Sequence, residues 1–437
     1  MSSARLVACF LLATLLGPGA APLVAAETLK AGLAKTDITP DVKGPNPVWV
    51  AGYGNNRRAT GVHDPLYCRA AVLDDGRQKI ALACVDLVGL QYPEVQRIRA
   101  RLPDFAYVMV SSSHNHEAPD VIGLWGPSPV TSGVDPKYLD LVIERTVQAI
   151  RDAEKAAQPV TARYGAARDD SLLKDGRLPM VFDGVLRAVR LDGAQGKPAG
   201  LIVQWNCHPE SLGSENTEIT ADFLWATAAQ LEKRYGCPVV LLTGAVGGLM
   251  TNPAVIKDDD GSELRDEQFR FAEVFGGRVA KLAEQAIDAA APIELAPFKV
   301  SARPIAIPLA NKLYVAARAI GVLPRPAVVW SGDVDQVGPL AGPDTPVDKL
   351  AIATEVAYLR LGELHVACIP GELYTELVYG QFQEPVEPHV DFPSAPLEPA
   401  VMPSLPGDKT LLIGLANDEV GYIIPKRRWN PGYSAWF

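Results

Sequence analysis

The chain has 437 residues, of which 48% are hydrophobic and 21% charged, with 41 Lys+Arg, 51 Asp+Glu, six Cys and six His. That balance is ordinary for a globular protein and excludes a collagen, a coiled coil and a disordered chain. The net charge of −10 argues against nucleic acid as a partner, because phosphate binding needs a basic footprint.

Read from the N-terminus, residues 1–26 have the pattern of a secretory signal. Arg5 supplies the positive start, Leu6–Leu16 an apolar run, and Val24-Ala25-Ala26 a small-residue cleavage site. The run is shorter than the ~20 residues that span a bilayer. The expectation is an exported protein, secreted or periplasmic, whose residues 27–437 form a single large domain. With Cys9 removed, Cys68, Cys84, Cys207, Cys237 and Cys368 remain. An odd count leaves at least one thiol unpaired, and no CxxC spacing points to a thiolate zinc site.

Short, nearly continuous apolar runs then alternate with helical patterns. Lys79–Leu87, Ala106–Ser111, Gly200–Trp205, Pro238–Thr243 and Leu364–Ile369 suit strands buried on both faces. Pro136–Ala156 has helical periodicity behind Asp135, with a proline at its first position. Ala221–Tyr235 and Arg265–Ala290 also read as amphipathic helices. Between them, residues 252–264 read as a solvated acidic loop. Residues 384–408 are too rich in proline for regular structure and read as an ordered connection or a lid. The fold class is α/β, with mixed β-sheets flanked by helices.

Four segments carry chemistry, each placing a polar group directly after a buried strand: Val108–His116 (VMVSSSHNH), Val203–Glu210 (VQWNCHPE), Ala367–Tyr374 (ACIPGELY) and Gly414–Pro425 (GLANDEVGYIIP). In an extended segment residues two apart point the same way, so His114 and His116 face one side of their strand end. His208 follows its strand at once, and Glu372 follows a Pro-Gly turn at a predicted helix start. Ligands in open α/β sheets bind beyond the carboxyl ends of strands, and two imidazoles with a carboxylate form a catalytic zinc set. His63, His365 and His389 have no supporting context. Gly244–Gly248 (GAVGG) lacks the P-loop ending and the GxGxxG spacing. No GxSxG elbow supports a serine hydrolase.

Taken in order, the four segments resemble the catalytic domain of the neutral ceramidase family, zinc-dependent amidases. Ala31–Pro40 (AGLAKTDITP), Ala51–Tyr53 (AGY) and Ser112–Pro119 (SSHNHEAP) are similar to further motifs of that family. The likeness runs from Thr28 to Phe437. It implies Zn2+ held by His114, His208, Glu372 and Tyr422, with His116 beside the metal to move protons or bind the tetrahedral intermediate. It also implies that Tyr433 donates to the oxyanion, and that Arg177 holds a substrate carboxylate or carbonyl. Where the family carries Gly-Asp-Val-Ser-Pro-Asn, this chain reads GAVGGLM, with Gly247 at the serine and Ala245 at the aspartate. The nucleophile implied is therefore a metal-activated water. The chain is also expected to lack the family's immunoglobulin-like C-terminal domain. The substrate implied is a ceramide-like lipid or another small N-acyl compound. The alternative is a ceramidase-like binding module that keeps the metal without turnover.

Overall fold

The structure, a computed structural model, describes residues 28–175, 181, 183–248, 250–382, 384–386 and 388–430. Residues 1–26, Arg177 and Tyr433 lie outside the described residues.

Two five-stranded sheets and their covering helices make the body of the molecule. The first sheet has the order Tyr107–Ser112, Lys79–Val85, Tyr67–Asp74, Lys30–Asp37, Gln158–Pro159; the second runs Val239–Thr243, Pro198–Trp205, Val185–Asp192, Thr161–Arg168, Ala291–Ile293. Strict alternation along each strand sends its side chains to two different cores. In the first sheet Ile80, Leu82 and Met109 face inward, packing with Ile202, Val240 and Leu242 of the second. Their sequence neighbours Ala81, Ala83, Val108 and Val110 face outward, against Leu139, Val142 and Ile150 of the helix Pro136–Lys155. Leu201, Val203 and Leu241 likewise leave the second sheet outward, onto the helices Phe223–Tyr235 and Phe269–Asp288. Burial on both faces is why these strands read as continuous apolar runs rather than alternating ones.

A third sheet orders Val337–Leu340, Val328–Trp330, Leu350–Leu361, Leu364–Cys368 and Thr410–Ile413, with Phe298–Pro308 paired antiparallel along Leu350–Leu361. Leu359, Val366 and Leu411 join the core between the first two sheets. Among the described residues, Cys68, Cys84, Cys207, Cys237 and Cys368 are free and buried, as small hydrophobes.

The expected helix at Pro136 is present, with Asp135 accepting from the Lys137 amide. Four local readings change. Residues 252–264 do not form a plain loop: Val255–Lys257 and Glu263–Arg265 pair as a hairpin that buries Ile256 and turns at Gly261, where φ is 85°. The following helix accordingly starts at Phe269, not Arg265. Glu372 stands in a two-residue strand, and its helix begins only at Thr375. The proline-rich stretch, expected to lack regular structure, holds the short helix Val401–Ser404, because Pro403 lies within the first turn where its missing N–H costs nothing, and the Asp391 amide donates to the Trp429 carbonyl at 3.0 Å. Among the described residues, no helix is long and apolar enough to cross a membrane.

Candidate metal centre

Each sheet contributes one parallel strand pair: Tyr107–Ser112 with Lys79–Val85, Pro198–Trp205 with Val239–Thr243, and Leu364–Cys368 with Thr410–Ile413. The loops after these strands meet at one place. The Thr243 hydroxyl donates to the Ser113 carbonyl at 2.8 Å, and the Gly414 amide to the Thr243 carbonyl at 2.9 Å. The Asn417 amide donates to the Val110 carbonyl at 2.7 Å. Chain segments more than 100 residues apart are thus locked together by two backbone bonds and one side-chain hydroxyl.

His114, His116, His208 and Glu372 all come to this junction and are buried. The His114 Nδ1–H points to the Val88 carbonyl at 2.7 Å, and the His208 Nδ1–H to the Met250 carbonyl at 2.7 Å. A backbone acceptor on Nδ1 fixes the tautomer and leaves Nε2 as the coordinating atom. Both Nε2 atoms turn to the same oxygen, Glu372 Oε2, at 3.3 Å from His114 and 3.2 Å from His208. Opposite Glu372, in parallel register, stands Tyr422, whose phenol is pushed well above the ordinary tyrosine value by burial and then by the nearby Glu372 and Glu210 carboxylates.

Electrostatics follow from that crowding. Burial opposes charge on Glu372, yet the two imidazoles hold its carboxyl below the usual carboxylate range. Burial also opposes charge on His208, but Glu210 and Glu372 outweigh it and lift the imidazole to about 9. For His114 the same contest with Glu372 ends in a raised pKa. His116 goes the other way: burial and then the neighbouring imidazoles push it well below the ordinary histidine value. Its Nε2 lies 3.3 Å from His114 Nε2, and its Nδ1, which has no hydrogen-bond partner among the described residues, lies 3.6 Å from Glu210. Ring nitrogens of His114, His116 and His208 lie within 4.8 Å of one another, a spacing suited to holding a metal ion.

Two glycines admit this packing. At Gly247 an added Cβ would sit 2.3 Å from the Glu372 carbonyl and 2.7 Å from the Tyr374 amide, so the strand bearing Glu372 rests directly on bare backbone. At Gly52, with φ 100°, an added Cβ would lie 2.4 Å from the His116 ring.

The structure therefore gathers His114, His116, His208, Glu372 and Tyr422; Arg177 and Tyr433 lie outside the described residues. Further residues reach the site to which the sequence assigned no role. Tyr53 stacks edge-on against His116 with ring centroids 5.2 Å apart, and its hydroxyl donates to the Glu210 carbonyl at 2.9 Å. Buried Arg57 donates to the His116 carbonyl at 3.1 Å and to Glu117 at 2.7 Å. Glu210 and Glu419 add two carboxylates, and both were visible as acids inside the chemistry-bearing segments. His63 and His365 have other partners: His63 stacks on Phe269 at 3.9 Å, and His365 meets the Tyr358 hydroxyl at 2.6 Å.

No protein-family model matches the chain, and no curated protein matches it by sequence. Among solved structures it is similar to neutral ceramidase from Pseudomonas aeruginosa, with a TM-score of 0.67 and 18% identity over 91% of this chain and 68% of that one. A ceramidase complexed with C2 matches with a TM-score of 0.66 and 15% identity, covering 91% of this chain and 69% of the other. The chain has a fold of the neutral ceramidase kind.

Proposed function

We propose that this chain is an exported, zinc-dependent amidohydrolase that cleaves an N-acyl amide bond, in a ceramide-like lipid or another small N-acyl compound. The observation that carries the reading is the convergence of two tautomer-fixed imidazoles on Glu372 Oε2, at 3.3 and 3.2 Å, on this fold. The donor set fits the ion: two nitrogens, one carboxylate and the Tyr422 hydroxyl make four N/O ligands of the kind zinc takes. Zinc bound there would polarise the amide carbonyl and bring the pKa of a water to ~7.

The remaining chemistry belongs to side chains. His116, kept neutral by burial and by its neighbours, is ready to accept a proton from the attacking water and return it to the departing amine. Glu210, 3.6 Å from Nδ1, stabilises the imidazolium formed in between. Tyr53 and Gly52 hold the His116 ring in place. Tyr433 supplies an oxyanion donor and Arg177 an anchor for a substrate carboxylate or carbonyl. Gly247 offers no hydroxyl, so no serine acts at that position.

A panel of N-acyl amides and esters, assayed with zinc-loaded and chelator-treated protein, tests this. Hydrolysis of at least one amide is expected, lost on chelation and restored by zinc. No turnover of any member at full metal occupancy would replace the enzyme by the binding module.

A further inference from the structure

We propose that Glu419 supplies an additional oxygen ligand to the metal held by His114, His208 and Glu372; the proposal rests on the metal reading of that site. Carboxylate oxygens of Glu372 and Glu419 and a ring nitrogen of His114 lie within 4.8 Å of one another. Ligand bonds of ~2.0–2.2 Å put two donors of one ion at most ~4.4 Å apart, so a small rotation of the carboxylate closes the set. Since His114 Nδ1 is occupied by the Val88 carbonyl, its single remaining nitrogen can serve only one ion. Glu419 and the His114–His208–Glu372 group therefore address the same centre.

The Glu419 carboxylate is also prepared for a cation. Oε1 accepts from the Gly421 amide at 2.6 Å, while Oε2 is covered and has no hydrogen-bond partner among the described residues. Two carboxylates sharing a buried site repel each other unless a cation lies between them. The backbone leading to Glu419 is unusual. Leu415 and Asn417 have φ of 48° and 67°, and Asn417 is held by the Tyr107 hydroxyl at 2.8 Å and Glu355 at 3.2 Å. Next to Glu419, Asp418 forms a fully buried ion pair with Arg325. Gly89 leaves the space: an added Cβ there would lie 2.6 Å from the Glu419 Cβ.

The test compares full-length wild type with Glu419→Gln, which keeps the side-chain size and an acceptor for Gly421, and with Glu419→Asp, which draws the carboxylate back. Zinc Kd is read by competition with a chromophoric chelator, and the visible spectrum of Co2+-loaded protein reports coordination number. The expected result is a zinc Kd at least tenfold higher in Glu419→Gln, an intermediate rise in Glu419→Asp, and a Co2+ spectrum gaining four-coordinate intensity. A Kd within twofold of wild type, with an unchanged Co2+ spectrum, would overturn the assignment. His208→Ala in the same assay reports on the centre itself. If it loses zinc while Glu419→Gln does not, only the Glu419 ligand falls; if it too binds unchanged, the metal reading fails with it.

Discussion

His114 sits at φ 66°, a left-handed conformation that a non-glycine residue rarely adopts. The strand before it ends at Ser112, so His114 and His116 do not share a face by strand alternation. A left-handed residue beyond the strand end turns the chain, and both rings reach the same centre through a loop. The residue types in the pattern were legible in the sequence; the conformation was not, because it depends on backbone acceptors such as Val88 and Pro209 that come from other segments. The raised imidazoles give a testable pH dependence. Zinc takes the neutral form, so below the His208 value of about 9 binding must displace a proton, and acidification weakens it. Chelator competition between pH 6 and 8 should show zinc affinity rising with pH, roughly tenfold per unit for each proton released. An affinity flat across that window would mean that His208 and His114 are not ligands.

Among the elements, the buried parallel strands were the readable ones. Lys79–Val85, Tyr107–Ser112, Pro198–Trp205 and Val239–Thr243 fall within a residue or two of the apolar runs that announced them. Phe298–Pro308 was not readable, since Pro304 and mostly exposed side chains hide a strand that exists through its full-length pairing with Leu350–Leu361. Thr161–Arg168 and Val185–Asp192 carry Arg163, Arg187 and Arg190, whose charges break the apolar pattern but find partners at Ala290, Asp183 and Asp192. The GAVGG turn gains its meaning only in contact with another element. Because Gly247 lies beneath the Glu372–Leu373 strand, Gly247→Ser should push Glu372 away from the imidazoles. The expected outcome is a stability loss of about 1–3 kcal/mol by urea unfolding, typical of overpacking, together with weaker zinc binding. Wild-type stability and zinc affinity in this variant would show that the strand does not need the bare backbone.

For the whole molecule, the site exists because three sheets end their parallel strands at one junction, bringing residues 114, 208, 372 and 422 together. The mixed α/β class, with helices outside, was readable from the alternation of runs and helical patterns. The stacking of two sheets on one shared core was not, because the pairing of distant faces leaves no local mark in the sequence. The central claim, that this junction is a metal centre serving hydrolysis, is tested most directly by crystals of the zinc-loaded protein measured on both sides of the zinc absorption edge. One anomalous peak per chain is expected, within ~2.0–2.2 Å of Nε2 of both His114 and His208 and of a Glu372 oxygen. A peak located elsewhere, or none at this junction in protein shown to carry zinc, would contradict it.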